Sequence, residues 1–196
     1  MSMLPGSTQD DLYAKVQLLE NELKASGLRH CFLFLPPSTY HITLEGVIER
    51  VLPDIEQVEV DHYYDVATSG LTLPTGSCFD VDIQKFSKFT NLVLYAKAKT
   101  VSPPPFLNQL RQNLGKKPKK SEDGEAFHIT VAYYLEPLAT KSDERRLEDC
   151  IHRATRLSFF TPSGSPNPLR FRVDDGKMYY FSSMNSYEEI PGTSLI

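Results

Sequence analysis

Apolar residues recur along the chain with two different periods, and these periods predict a mixture of helices and strands. Leu12, Val16, Leu19 and Leu23 recur at helical spacing, and Gly27 is a natural helix stop. Further helices are expected over 61–70, 103–114 and 142–157.

Short apolar runs and alternation of apolar with polar residues predict the strands between these helices. The residues 174–177 form a polar, glycine-containing segment that predicts a hairpin turn between the last two strands. The polar segment 115–125 predicts an exposed loop. Strands are expected at 31–35, 39–46, 78–83, 92–97, 127–135, 169–173 and 178–182.

Composition favours one ordinary globular domain over residues 1–196, since apolar residues make up 40% of the chain and charged residues 23%. No apolar run approaches the roughly 20 residues of a membrane helix. The chain also lacks the basic and apolar start of a secretory signal. The 3 cysteines have no short spacing and predict reduced thiols. We therefore expect a cytoplasmic or nuclear protein that does not contact membranes.

The charge of the chain limits its partners. A formal net charge of -4 argues against a protein that coats long nucleic acid through a basic surface, so DNA is not an expected partner. A small nucleotide or a short RNA 3' end remains compatible with this charge. The expected assembly state is a monomer.

Two segments share the order aromatic, His, Ile, Thr, aliphatic: 40–44 and 127–131. Residues two apart on a strand point to the same face, so His41 shares a face with Thr43, and His128 with Thr130. If the two strands lie side by side, two imidazoles and two hydroxyls converge on one groove. One His-x-Thr is weak evidence, but two copies with matching flanks are hard to obtain by chance.

This set of side chains suits phosphoryl chemistry without a metal. An imidazole titrates near neutral pH, so one histidine can act as base while the other acts as acid. Threonine hydroxyls can donate to the non-bridging oxygens, where charge builds up in the transition state. Which histidine is the base is left open by the sequence.

Two other interpretations of the histidines compete with this one. Both pairs could be ordinary strand residues whose imidazoles are satisfied in the core. A zinc ion could bind His41 and His128, but no third ligand is tied to them by spacing. We expect no metal and no cofactor.

The paired motifs resemble those of the 2H phosphoesterase superfamily, which includes 2'-5' RNA ligase-like proteins and cyclic nucleotide phosphodiesterases. The resemblance is sharp at 34–43 and 127–133 and covers roughly residues 8–160. It implies an α+β, bilobal fold, in which two pseudo-symmetric antiparallel sheets with flanking helices surround a central groove. By motif match, it implies His41, Thr43, His128 and Thr130 as catalytic residues.

One departure concerns the start of the chain. Family members usually open with a strand before the first helix, whereas this chain reaches helix-like residues almost at once. Either the segment 1–6 supplies that strand, or the first lobe is incomplete.

Four further residues are candidates for substrate binding. Regular pleating points Glu45 and Tyr134 toward the groove, where Tyr134 could stack on a base. Lys116 and Lys117 lie in the predicted loop and could steer a phosphate. The remaining histidines, including His30, are interpreted as surface or satisfied residues.

The sequence thus predicts a metal-independent phosphodiesterase that hydrolyses a cyclic phosphate, a 2'-5' or 3'-5' linked ribonucleotide, or an RNA end. The alternative is a catalytically weak or inactive module that binds a nucleotide or RNA end in the same groove.

Overall fold

The computed structural model describes residues 2–4, 6–44, 79–99, 105–113, 115–117, 126–173, 179–183 and 186–189 of the chain. Its helices are α1 (Gly6–Ala25), α2 (Pro105–Asn113) and α3 (Lys141–Phe159). Short 3-10 turns span Arg29–Cys31 and Pro37–Thr39. The strands are β1 (Ser2–Met3), β2 (Phe32–Phe34), β3 (His41–Ile42), β4 (Phe79–Lys88), β5 (Leu92–Ala98), β6 (Ala126–Tyr134), β7 (Leu169–Val173), β8 (Tyr179–Ser183) and β9 (Ser186–Glu189).

The fold is α+β, as expected, and its main layer is one curled antiparallel sheet in the order β2-β6-β5-β4-β7. Two smaller two-stranded sheets pair β1 with β3 and β8 with β9. The pairing of β1 with β3 means that the start of the chain does supply a strand before the first helix.

Alternating burial along the central strands gives the large sheet one apolar face. Val81, Ile83, Leu94 and Ile129 are fully buried on it. The helix α3 packs on β4, and α1 packs on α3. Leu12, Val16, Leu19 and Leu23 are the buried residues of α1, so the helical face predicted from their spacing is confirmed.

The start of α3 shows why the sequence begins a helix there. The Thr140 hydroxyl accepts from the backbone N–H of Asp143, and the Asp143 carboxylate accepts from the backbone N–H of Thr140. This reciprocal capping satisfies two N–H groups that a helix start would leave without a partner.

The strands predicted at 169–173 and 178–182 correspond to β7 and β8 but pair differently, and the strand predicted at 39–46 is shorter in the structure. Within the described residues, β7 pairs with β4 and β8 pairs with β9 instead of with each other, and the predicted turn at 174–177 lies outside these residues. In this register Phe171 and Val173 join the apolar face beside Val81 and Phe79, which a hairpin alone would not bury. The first motif strand is also shorter than 39–46, since β3 contains two residues.

The predicted helix at 61–70 and the start of the strand at 78 lie outside the described residues. Within the described part of the chain, none of the helices has the length and apolar character needed to cross a bilayer.

Candidate active site

The first His-x-Thr motif shows the alternation that its sequence predicts. Tyr40 and Ile42 are fully buried, whereas His41 is half-buried and Thr43 is exposed. The chain is held here by pairing with β1, in which Met3 lies opposite His41. His41 and Thr43 therefore lie on the less buried side of the segment.

A hydrogen bond fixes the orientation of the His41 ring. Its Nδ1 lies 2.8 Å from the backbone oxygen of Thr39, and a carbonyl can only accept, so Nδ1 carries the proton. The neutral ring then has its lone pair on Nε2. The pKa of His41 is lowered, mainly because the ring is buried. The hydrogen bond to Thr39 raises this pKa, and like charges, including that of His128, lower it.

The second motif lies on β6, inside the large sheet. Phe127 and Ile129 are buried on the apolar face, while His128 is exposed and Thr130 half-buried on the other face. The antiparallel ladder between β5 and β6 includes His128. Its hydrogen bonds therefore hold the backbone that carries His128.

The two motifs are brought together by the path of the chain between β2 and β3. A hydrogen bond from the Leu35 N–H to the Val131 oxygen, 2.9 Å long, continues the β2–β6 ladder. The chain then turns through Pro37–Thr39, and β3 lies in contact with β6. The charge of His128 acts on the pKa of His41, so the two imidazoles lie within electrostatic reach of each other.

Side chains from β5 and β4 lie beside His128, and no sequence motif marks them. Tyr95 on β5 lies directly opposite His128, and Lys85 on β4 lies opposite Tyr95. The Lys85 Nζ is 5.2 Å from the centre of the Tyr95 ring, a cation–π distance. A row of Lys85, Tyr95 and His128 thus crosses three strands.

A β-bulge on β4 creates this row. The register shifts between Ile83 and Lys85, so that Ile83 pairs with Ala96 while Lys85 pairs with Tyr95. Without the extra residue, Lys85 would point to the apolar face. No sequence motif marks the bulge, so neither Lys85 nor Tyr95 is predicted as a site residue from the sequence.

The polar face continues with charged side chains beyond this row. Asp82 lies opposite both Lys97 and Arg170, and the Arg170 Nε donates to an Asp82 oxygen at 2.8 Å. Arg172 lies opposite Asp80. Basic side chains outnumber acidic ones among these residues of the described face.

The prediction that Tyr134 points toward the groove is wrong. Leu92 on β5 pairs with Ala132, but the next residue of β5 pairs with Thr130, so Val131 is an extra residue that forms a bulge on β6. Val131 and Ala132 are consecutive and both buried. The bulge reverses the alternation, so Tyr134 lies on the apolar side. Its ring packs 4.8 Å from that of Phe32 instead of pointing with His128.

The remaining candidate residues are Glu45, Lys116 and Lys117. Glu45 lies outside the described residues. Lys116 and Lys117 follow the end of α2, where the Lys116 N–H donates to the Arg111 oxygen at 2.7 Å. A cavity of about 310 Å³ lies between β4 and α3, and its lining includes neither His41 nor His128.

Comparisons with known proteins give the fold but no activity. No family model matches the chain, and no curated protein matches it. A conserved protein of unknown function from Agrobacterium tumefaciens has a similar structure, with a TM-score of 0.58 and 20% identity over 96% of this chain and 81% of that one. A protein from Thermus thermophilus has a TM-score of 0.50 and 18% identity, over 99% of this chain and 94% of that one.

Proposed function

We propose that the protein is a metal-independent phosphodiesterase that acts on a cyclic phosphate, a 2'-5' or 3'-5' linked ribonucleotide, or an RNA end. The observation that carries this proposal is the contact between β3 and β6, which brings two His-x-Thr motifs to neighbouring strands. The groove would lie between the two lobes of a bilobal, 2H phosphoesterase-like fold.

His41 is the general base in this proposal. Its Nδ1–H is bound to the Thr39 carbonyl, which leaves the lone pair on Nε2, and its lowered pKa keeps the ring neutral near pH 7. In hydrolysis of a 2',3'-cyclic phosphate, Nε2 takes a proton from the water that attacks phosphorus.

His128 is the general acid. As the new bond from the water oxygen to phosphorus forms, the bond from phosphorus to one ribose oxygen breaks, and His128 gives that oxygen a proton. The exposed position of His128 on β6 lets the ring reach a leaving group outside the sheet. Each such proton transfer contributes about 10²–10⁴-fold to the rate.

The remaining groups bind the substrate. The Thr43 and Thr130 hydroxyls donate hydrogen bonds to the non-bridging oxygens. These hydrogen bonds become stronger as negative charge builds up on the oxygens in the transition state. Tyr95 offers a ring face beside His128 on which a base can stack. Lys85 and Lys97 attract the phosphate.

The test is to incubate the protein with 2',3'-cyclic AMP, a 2'-5' dinucleotide and a short oligo(U) in excess chelator. We expect turnover that falls by about 10²–10⁴-fold in both His41→Ala and His128→Ala. His152→Ala, which changes an exposed histidine of α3, is the matched control and should retain activity.

Two outcomes would contradict the proposal. Turnover that survives both substitutions would remove the mechanism. Saturable nucleotide binding without turnover would instead identify the protein as a binding module.

A further inference from the structure

A second cluster of reactive side chains lies just beyond the other end of β6, which ends at Tyr134, about 20 Å along the strand from His128 at a rise of about 3.4 Å per residue. It consists of His30, Cys31 and Glu136. The Cys31 Sγ is 3.6 Å from the His30 Nε2 and 3.8 Å from the Glu136 Oε1. The His30 Nε2 is 3.4 Å from the same Glu136 oxygen. One atom from each residue thus forms a small triangle.

The sides of this triangle match those of a tetrahedral zinc site. Zinc lies about 2.3 Å from sulfur and about 2.0–2.2 Å from nitrogen or oxygen. At tetrahedral angles, these bond lengths place sulfur about 3.6 Å from the nitrogen or oxygen ligand, and nitrogen about 3.4 Å from oxygen. The observed 3.6, 3.8 and 3.4 Å agree with these values. A metal can therefore be placed without moving the backbone.

The backbone around the cluster holds the three residues in place. The Cys31 N–H donates to the Leu28 oxygen at 3.1 Å, within the 3-10 turn that carries His30. The Leu135 N–H donates to the Cys31 oxygen at 2.8 Å, and this bond fixes Glu136 beside the thiol. A site whose backbone is already held in place loses less conformational entropy when it binds its metal.

A cavity of about 160 Å³ opens onto the cluster and is lined by all three residues. It leaves space for a water molecule as the fourth ligand. Asp143 also lines the cavity, but its carboxylate accepts from Thr140 and pairs with Arg146. A divalent ion bound by one thiolate and one carboxylate is neutral overall, so the site needs no further acid.

We propose that His30, Cys31 and Glu136 bind a zinc ion that links the turn after α1 to the end of β6. Thiolate, imidazole and carboxylate in tetrahedral geometry are the donor set of zinc, and the thiol proton passes to solvent on binding. The role is structural, because the ion joins two segments that are 105 residues apart in the chain. The site is independent of the phosphodiesterase proposal.

The experiment uses the full chain after treatment with a chelator and buffer exchange. Titration with Co²⁺ should produce the visible bands of a tetrahedral ion and a sulfur-to-cobalt charge-transfer band, and Zn²⁺ should abolish both by displacement. Zn²⁺ should also raise the Tm, since it binds the folded chain. Cys31→Ser should remove the charge-transfer band.

Exposed ligands allow a test that does not depend on the buried thiol. The side chains of His30 and Glu136 are 69% and 55% exposed, so His30→Ala and Glu136→Gln should fold normally. Each should weaken Co²⁺ binding by at least about 10–100-fold. Cys150→Ser and His152→Ala are matched controls and should bind as the unchanged protein does.

The site would be overturned by an absence of tetrahedral bands, or by a charge-transfer band that persists in Cys31→Ser. Unchanged affinity in both His30→Ala and Glu136→Gln would equally show that the three residues form only a hydrogen-bonded cluster. Because turnover is measured in excess chelator, loss of this site leaves the phosphodiesterase proposal standing, and the reverse also holds.

Discussion

Tyr95 and His128 lie directly opposite each other in the ladder between β5 and β6. Opposite side chains in an antiparallel pair have Cβ atoms about 4.5–5.5 Å apart. The phenol ring of Tyr95 is therefore the cross-strand neighbour of the His128 imidazole. The Lys85 ammonium lies over the Tyr95 ring, 5.2 Å from its centre. A ligand that reaches His128 therefore meets an aromatic face and a positive charge.

Replacement of Tyr95 tests whether that face binds the base of the substrate. Tyr95→Ala should raise KM by about 5–150-fold, since stacking on one base contributes about 1–3 kcal/mol. Tyr95→Phe keeps the ring and should change KM little. Steady-state kinetics with a nucleotide substrate measure the effect.

The control for Tyr95 is Tyr13→Ala, which removes a tyrosine that is 40% exposed on α1. It should leave KM unchanged. An equal rise of KM in Tyr95→Phe and Tyr95→Ala would show that the hydroxyl acts there and not the ring.

The pH dependence of turnover tests the role of His41. Burial lowers the pKa of this ring below its ordinary value of 6.5, and a general base must be neutral. The neutral form therefore persists to lower pH than in a solvated histidine. The acid limb of the profile of kcat/KM against pH should have its midpoint below 6.5.

Circular dichroism over the same pH range serves as the control, because unfolding in acid would also reduce turnover. An acid limb with its midpoint above 6.5 in a folded protein would contradict the assignment of His41 as the base.

Tyr40 tests the packing that supports the first motif. Its side chain is fully buried, and its hydroxyl has no hydrogen-bond partner among the described residues. Tyr40→Phe removes this polar group and should raise the free energy of unfolding by about 1 kcal/mol. Tyr40→Ala should lower it by about 3–5 kcal/mol through loss of packing.

Urea denaturation measures both Tyr40 variants. If Tyr40→Phe loses stability by as much as Tyr40→Ala, the hydroxyl makes a favourable bond and the packing interpretation fails. Turnover of Tyr40→Phe should match that of the unchanged protein, because the hydroxyl does not face the substrate side.

Features that depend on local period follow from the order of amino acids alone. Buried Tyr40 and Ile42 alternate with His41 and Thr43 because side chains on an extended chain alternate whatever it pairs with. The helices predicted at 103–114 and 142–157 are present as α2 and α3, since an apolar stripe at helical spacing needs only one packing partner. The candidate histidines were found in this way, from two short motifs.

Which residues meet across strands depends on how the whole chain packs. A bulge on β6 turned Tyr134 to the apolar face, and one on β4 placed Lys85 beside Tyr95. Register is set by the burial gained when whole strands pair, and one extra residue reverses every side chain beyond it. The same pairing of β2 with β6 brought Cys31 to Glu136 across 105 residues, a contact that no local pattern in the chain encodes.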